Sequence, residues 1–303
     1  MTNAAPLRPA VPEGGAPPPA PASGWRQSLG DIARRPVALA SAVVLLLVVL
    51  AAAAGPWIVP YAANDIDLGR ALQAPSWAHV FGTDDLGRDI YSRVVLAAGV
   101  SVQVSVVSVS IAFAAGVLLG LIAGYFGGWI DTIVMRIVDV MFAFPVLLLA
   151  LAIVAILGPG LTTAMIAIGV VYVPIFARVA RASTLSVREE PFVRAAQGMG
   201  AGSRWIILRH ILPNVAAPLI VQTSLSLAFA ILSEAALSFL GLGVQPPNPS
   251  WGRMLFDARG YLDQAWWMAV FPGLAVFVTV LAFNLLGDTL RDVLDPSRRE
   301  VRP

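Results

Sequence analysis

Few residues in this chain have side chains that could do chemistry, and they do not cluster. Three carboxylates, Asp139, Glu234 and Asp288, fall within apolar stretches, far from either histidine, His79 or His210. Cysteine is absent. Acid–base catalysis needs several ionisable groups close together, and metal sites need ligand clusters that this sequence does not show. The sequence therefore predicts no catalytic residue and no metal site.

The absence of lysine limits how the chain could use nucleotides. All 20 basic residues are arginines. A P-loop contains a Gly-Lys-Ser/Thr sequence, and its lysine contacts the nucleotide phosphates. This chain cannot form such a loop. If ATP drives its function, another subunit must bind ATP and Mg²⁺, and we expect no cofactor on this chain.

The remaining intramembrane polar residues have simple interpretations. A carboxylate within an apolar stretch is costly unless it faces a cavity or has a partner. Glu234 therefore either lines a translocation path or accepts a hydrogen bond between helices. Arg136 and Asp139, spaced i, i+3, are predicted to form an ion pair on one helix face.

The elements that must position these residues are membrane helices. Hydrophobic residues make up 58% of the 303, charged residues 13%, and the mean hydropathy is +0.79. Soluble domains carry about 25% charged residues. Six stretches reach the ~20 apolar residues that a membrane helix needs. They are Val37–Pro60, Ala98–Gly124, Ile133–Leu157, Leu161–Ala182, Val215–Leu242 and Met268–Asp288. We predict an all-α polytopic membrane protein with six transmembrane helices.

The arginines are unevenly distributed over the two sides of a six-span chain. Fifteen of the 20 fall on the side that holds both termini. Because cytoplasmic segments carry an excess of Lys and Arg, both termini are predicted to be cytoplasmic. The first apolar run, from Val37, is longer than the core of a signal peptide, so we expect it to be retained as a span.

Four regions follow from this topology. Residues 1–36, rich in proline, are predicted to be a disordered cytoplasmic tail. Residues 37–96 contain the first helix and an external loop, and 97–290 contain five helices. Residues 291–303 form a cytoplasmic C-terminal tail. A long cytoplasmic loop at about 183–213 interrupts the third region.

That loop predicts a helix–glycine–helix hairpin. Phe192–Gln197 has the composition of a short helix, and three alternating glycines follow it. Ser203 is expected to cap a second short helix, which Pro213 limits. The apolar face of such a hairpin either docks into a groove of a partner or folds back on the chain's own helices.

Small residues recur in the second span at intervals of four. They are Ala112, Gly116, Gly120, Gly124 and Gly128. Because this spacing gives one flat stripe along a helix, it predicts close packing of a second helix.

The hairpin resembles the EAA loop of ABC importer permeases. The matching residues are Ala195-Ala196, Gly200 and Leu212-Pro213. In that family the loop docks into the ATPase subunit and transmits its closure to the membrane helices. Two positions depart from the family pattern, Arg194 in place of Glu and His210 in place of Ile. The resemblance implies an ATPase-coupling loop that includes Arg194, Ala195, Ala196, Gly200, Trp205, His210, Leu212 and Pro213.

Three further stretches are similar to the dipeptide, oligopeptide and nickel permease family, in particular its dipeptide-permease C type. They are FGTDDLGRDIYSR (Phe81–Arg93), ALSFLGLGVQPPNPSWGRML (Ala236–Leu255) and FNLLGDTLRDVLDP (Phe283–Pro296). The resemblance implies a permease subunit of an ATP-driven importer of di- or oligopeptides in the bacterial inner membrane. It would form half of the translocation path. The implied partners are a second permease, two ABC ATPases, an extracytoplasmic substrate-binding protein and the lipid bilayer, with no nucleic acid.

Several alternatives stay open. Relatives in this family carry nickel complexes or glutathione, so the substrate is not fixed. An ion-coupled secondary transporter is a further alternative, although such folds often show internal repeats and none is visible here. In the external loop, Asp84, Asp85, Arg88 and Asp89 either contact the binding protein or form a solvated, self-paired loop.

Overall fold

The fold of this computed structural model consists of helices. The structure describes residues 35–294, so the predictions for residues 1–34 and 295–303 lie outside the described part of the chain. The helices are α1 Pro36–Ile58, α2 Ile90–Phe126, α3 Gly128–Phe142, α4 Val146–Leu157, α5 Leu161–Arg188, α6 Pro191–Gly198, α7 Ser203–Ile206, α8 Leu212–Asn214, α9 Ala216–Phe239, α10 Trp251–Ala258 and α11 Trp267–Leu294. A 3₁₀ turn covers Leu68–Arg70, and a π-helical turn covers Ile207–Ile211. The described residues contain no β-strand, and the all-α prediction is confirmed.

Five helices are each long and apolar enough to cross a membrane, namely α1, α2, α5, α9 and α11. They correspond to five of the six predicted spans. Helix α2 starts earlier than predicted, because the carboxylate of Asp89 accepts a hydrogen bond from the Ser92 N–H (2.8 Å) and caps it. With 37 residues, α2 extends about 55 Å and projects beyond the ~30 Å of hydrocarbon.

The predicted third span is bent. Helices α3 and α4 meet at an angle of 90°. Pro145, which directly precedes α4, explains the break. A proline lacks the N–H that would continue the helix, and it disfavours the helical conformation for Phe144 before it. The predicted span Ile133–Leu157 is therefore two helices that meet at a break, and together they count as one bent candidate span.

The stripe of small residues on α2 is the surface on which α5 packs. A Cβ added at Gly116 would come within 2.5 Å of an α5 side chain, and one at Gly120 within 2.4 Å of an α5 carbonyl oxygen. A Cβ at Gly124 would lie 2.8 Å from Thr184. These separations leave no room for a side chain, so the predicted close approach is confirmed. The stripe ends before Gly128, where an added Cβ would meet nothing within 4 Å.

Helices α2 and α5 run in the same direction. Gly116 contacts Phe176, and Gly124, two turns further along α2, contacts Thr184, two turns further along α5. Because the two helices are parallel, the chain between them must return to the opposite end of the bundle. Helices α3 and α4 together make that return, which gives the described residues six candidate crossings.

The two ends of the described chain meet on one side of the bundle. Arg35 Nη1, just before α1, lies 3.0 Å from Asp292 Oδ2, near the end of α11. An even number of crossings requires this arrangement. The ion pair is partly exposed, so its contribution to stability is small, at most about 1 kcal/mol.

The loops that follow α1 and α9 fold onto the opposite end of the bundle. The indole N–H of Trp267 donates to the carbonyl of Thr83 (3.0 Å), and that of Trp251 donates to the carbonyl of Val94 (3.0 Å). Both indoles are buried. Thr83 and the start of α2 are therefore held against α10 and α11, whereas most residues from 62 to 78 are exposed.

Candidate coupling loop and external polar cluster

The segment between α5 and α9 forms a helical hairpin, as predicted. Helix α6 contains the first predicted helix, and Gly200 has a φ of +79°, which a side chain would strain. Ser203 does not cap the second helix: the N-cap is Gly202, and no side chain bonds the helix start. The second helix also does not stop before Pro213, because helical turns continue through the π-helical turn into α8.

The inner face of the hairpin packs on the chain's own bundle. Val193, Ala196, Ile206 and Ile211 are each at most 2% exposed and belong to the same apolar core as α2 and α5. Ala195 is exposed. Consecutive helical residues point about 100° apart, so the two alanines cannot share a face. Ala196 therefore does not lie on the face that is open to a partner, whereas Ala195 does.

The outer face of the hairpin exposes large apolar side chains. These are Phe192, Met199, Trp205 and Leu208. An open depression of about 610 Å³ is lined by Gly202, Arg204, Trp205, Leu208 and Arg209. Exposed apolar surface of this kind, bordered by charged residues, is typical of a protein interaction site.

Arg194, the position at which the family pattern has Glu, is used locally. Its Nη2 lies 2.6 Å from Oε2 of Glu189. Arg188 contacts the other oxygen of Glu189 (3.3 Å) and donates to the carbonyls of Gly124 and Tyr125. The hydrogen bond from Arg194 is the main reason why the pKa of Glu189 is lowered. This exposed group of charges joins the start of the hairpin to the end of α2.

His210 packs inside the hairpin. Its ring lies 4.7 Å from the ring of Trp205 and 5.9 Å from that of Phe192. Its backbone carbonyl accepts a hydrogen bond from Asn214 (2.6 Å). His210 thus joins α6 to the π-helical turn, while Leu212 and Pro213 lead into α9.

Two ion pairs tie α3 to α5 beside the hairpin. Arg181 contacts both carboxylate oxygens of Asp131, with Nη2 2.6 Å from Oδ2. Arg178 Nη2 lies 2.7 Å from Asp139 Oδ1. The predicted ion pair of Arg136 with Asp139 is wrong, because Asp139 turns to α5 and Arg136 is exposed. Sequence spacing missed both pairs, since the partners belong to different helices.

The predicted external group of charges is paired and mostly buried. Asp84 accepts from Arg88 Nε (2.6 Å) and from the backbone N–H groups of Leu86 and Arg88 (both 2.9 Å). The side chain of Asp85 is 27% exposed and lies 3.8 Å from Arg88. Asp84, Arg88 and Asp89 are buried, so the solvated alternative is wrong for them. Contact with a binding protein stays a prediction, and Asp85 is the most accessible of the four.

His79 also belongs to this cluster, and its pairing with Asp89 was not predicted from the sequence. Its Nδ1 lies 2.9 Å from Oδ1 of Asp89, and its ring packs 4.8 Å from that of Tyr61. The described residues contain no group of three or more His, Cys, Asp or Glu that could hold a metal ion. In this structure His79 positions the residue that caps α2.

Glu234 lies fully inside the protein, with no exposed surface. Its Oε1 accepts a hydrogen bond from the hydroxyl of Ser238 (2.7 Å). The hydroxyl oxygen of Ser238 in turn accepts a hydrogen bond from the backbone N–H of Val244 (2.9 Å). Oε2 makes no hydrogen bond with residues 35–294. Glu234 thus fastens the end of α9 to the loop that follows it, and a role in the translocation path stays a prediction.

Comparisons with known proteins agree on one family. The model for "Binding-protein-dependent transport system inner membrane component" matches residues 116–300, and that for "N-terminal TM domain of oligopeptide transport permease C" matches residues 23–75. The chain belongs to this family of inner membrane permeases. The resemblance stated from sequence is thus confirmed, and the permease is a transport subunit and not an enzyme.

Named relatives cover nearly the whole permease. The dipeptide transport system permease protein of Alkalihalophilus pseudofirmus is 46% identical over 95% of this chain and 96% of its own length. The glutathione transport system permease proteins of Pectobacterium atrosepticum and Escherichia coli O157:H7 are 45% and 46% identical over 90% of this chain, and 91% and 90% of theirs.

Solved structures agree on the fold of the permease. Two inward-facing crystal forms of the MetNI methionine ABC transporter match with TM-scores of 0.55 and 0.56 at 18% identity. They cover 67% and 68% of this chain and 96% and 98% of theirs. At this identity the similarity concerns the fold alone.

Proposed function

We propose that this permease forms one half of the translocation path of an ATP-driven importer of di- or oligopeptides. The observation that carries the proposal is the 46% identity to a dipeptide permease over 95% of the chain. The implied assembly contains a second permease, two ATPase subunits that bind ATP and Mg²⁺, and an extracytoplasmic binding protein.

The hairpin is the proposed contact with the ATPase. Its outer face offers Trp205 and Leu208 as apolar anchors, with Arg204 and Arg209 at their sides. A groove with apolar walls and an acidic rim would complement this face. Since Arg194 already pairs with Glu189, we expect it to contribute little to the docking charge.

The inner face gives the hairpin a route to the membrane helices. Val193, Ile206 and Ile211 share one core with α2 and α5, and the glycine stripe locks those two helices together. Movement of the hairpin would therefore displace α2 and α5 as a unit. In the proposed cycle, ATP binding closes the ATPases, the hairpins move inward and the path opens to the outside. The binding protein, which we expect to approach near Asp85, then releases substrate.

Both termini are proposed to face the cytoplasm. The support is the excess of arginine on that side and the proximity of Arg35 and Asp292. A cysteine at Ser203 in this cysteine-free chain should resist a membrane-impermeant thiol reagent in intact cells. Labelling from outside would show that the termini face the opposite side of the membrane.

Glutathione is the second candidate substrate. Relatives named as glutathione permeases are 45–46% identical over 90% of the chain, about as similar as the dipeptide permease. Both candidates are short peptides, so the same path could serve either.

The proposed function is tested with the complete transporter in proteoliposomes. Uptake of dialanine, a tetrapeptide, glutathione and a nickel complex is measured with the cognate binding protein and internal ATP. The proposal expects ATP-dependent uptake of at least one unmodified peptide. Uptake of the nickel complex alone would contradict it. The permease purified away from its partners should hydrolyse no ATP.

A further inference from the structure

A cleft opens between α2 and α9 in the membrane-spanning part of the permease. Its volume is about 480 Å³, within the ~300–1,000 Å³ range of small-molecule sites. It is lined by Val106, Val109, Ser110, Phe113, Ile220, Thr223 and Leu227. Glu234 is not among these residues.

The polar residues on this face argue against a covering of lipid. Ser110 is exposed and lies near the middle of the predicted second span. Gln103, two turns earlier on the same side of α2, is also exposed. Hydrocarbon offers no hydrogen-bond partner, so exposed amide and hydroxyl groups at this depth are unfavourable against lipid tails. These groups favour contact with water, a polar ligand or a polar side chain over contact with lipid tails.

The cleft has the chemistry to bind peptide groups without reading side-chain charge. The Thr223 hydroxyl donates to the carbonyl of Leu219 (2.7 Å), which leaves its oxygen free to accept. Ser110, on the facing helix, can both donate and accept. None of the lining residues is charged, and Phe113 supplies an apolar wall braced edge-on by Phe176 (5.6 Å between ring centres).

A helix of a second permease fits this site less well than a peptide does. The backbone N–H and C=O groups of a helix bond one another, so a neighbouring helix could reach Ser110 and Thr223 only through its side chains. A passing peptide in an extended form has free N–H and C=O groups along its length. Hydroxyls on two facing helices suit such a ligand.

We propose that the α2–α9 cleft is a substrate site at which Ser110 and Thr223 bond the peptide backbone during translocation, largely independent of side-chain charge. This inference rests on the proposed import of peptides. In this proposal the hydroxyls of the cleft contact the substrate. The sequence had suggested Glu234 for that contact.

Cysteine accessibility provides the first test, because the chain has no native cysteine. Ser110→Cys and Thr223→Cys are made in the complete transporter in proteoliposomes. Leu47→Cys, exposed and apolar on α1, is the control. We expect a membrane-impermeant thiol reagent to label the cleft variants at least about tenfold faster than the control, and saturating dialanine with binding protein to slow that labelling.

Two results would overturn the proposal. Labelling no faster than the control means that lipid or the second permease covers the cleft. Rapid labelling that dialanine, di-lysine and di-aspartate all leave unchanged means that water fills the cleft but substrate does not touch it. If the unsubstituted transporter takes up these peptides and the labelling is still unchanged, only the cleft site fails. If it takes up no peptide, the proposed function fails as well.

A matched pair of substitutions tests the hydrogen bond itself. Thr223→Val keeps the shape of the side chain and removes the hydroxyl, whereas Thr223→Ser keeps the hydroxyl. We expect Thr223→Val to raise the KM for dialanine uptake about fivefold, with Thr223→Ser close to the unsubstituted protein. Equal effects of the two substitutions would refute a role for the hydroxyl.

Discussion

A single added side chain can test which face of α6 belongs to the bundle. Ala195 and Ala196 are adjacent and identical in type, yet Ala196 is 2% exposed and Ala195 is exposed. Replacing each in turn with leucine adds the same three carbons to the same helix. Helix propensity is nearly unchanged, because alanine and leucine are both good helix formers.

The two substitutions should differ in their effect on stability. At Ala196 the new side chain enters an occupied core beside Val193 and Ile206, and overpacking of this kind costs about 1–3 kcal/mol. At Ala195 it extends into solvent, where substitutions change stability by about 0.5 kcal/mol or less. The difference corresponds to at least a roughly twofold change in the ratio of folded to unfolded protein.

The assay compares thermal unfolding of the purified variants in one detergent at one heating rate, because unfolding of such proteins is often irreversible. We expect a lower midpoint for Ala196→Leu and an unchanged midpoint for Ala195→Leu. Co-purification of the ATPase subunits is measured on the same samples. Ala195→Leu should reduce it if the outer face docks.

The reasoning is refuted if Ala195→Leu unfolds at the lower temperature, or if the two midpoints are the same. Either result would mean that Ala196 does not face the core. A normal amount of ATPase with both variants would contradict only the proposed docking face.

Three further predictions concern packing and pairing. Gly120→Leu should abolish folding because α5 leaves no room for a side chain at this position, and the monodisperse peak in size-exclusion chromatography should be lost. Ala114 is exposed on the same helix, so Ala114→Leu should be tolerated. Asp131→Asn should lower the unfolding midpoint more than Asp139→Asn, because its two-pronged ion pair is less exposed; equal shifts would contradict this. Trp267→Phe leaves the buried carbonyl of Thr83 unpaired, at a cost of about 1–3 kcal/mol. It should increase external proteolysis in right-side-out vesicles, and unchanged digestion would argue against that bond.

Properties that depend on one helix alone could be predicted from the sequence. The lengths of the apolar runs predicted five crossings within a few residues at most ends, and the four-residue spacing of Gly116, Gly120 and Gly124 predicted a packing face. The length of an apolar run and the spacing of small residues are both read along a single helix. Pro145 also marks where the third span can kink, but its continuous apolar run carries no information on the angle of the bend.

Properties that depend on how two helices are rotated and offset could not be predicted. Asp139 has an arginine three residues away in the sequence, yet its partner is Arg178 on α5. For the acidic loop that contains Asp84, solvation stayed an alternative because hydropathy does not show that Asp84 and Arg88 form a buried ion pair. Glu234 illustrates the same limit, since a glutamate buried between helices and a glutamate that lines a path look the same in the sequence.

The contact between Arg35 and Asp292 has a consequence for protein engineering. The first described helix begins, and the last one ends, on the same side of the bundle, so a linker can join α11 of one permease to α1 of another without an added span. The two halves of a transporter could therefore be encoded as one tandem polypeptide with both in the same orientation. Such a fusion would fix the pairing of the halves at one to one and allow a substitution to be placed in one wall of the path at a time.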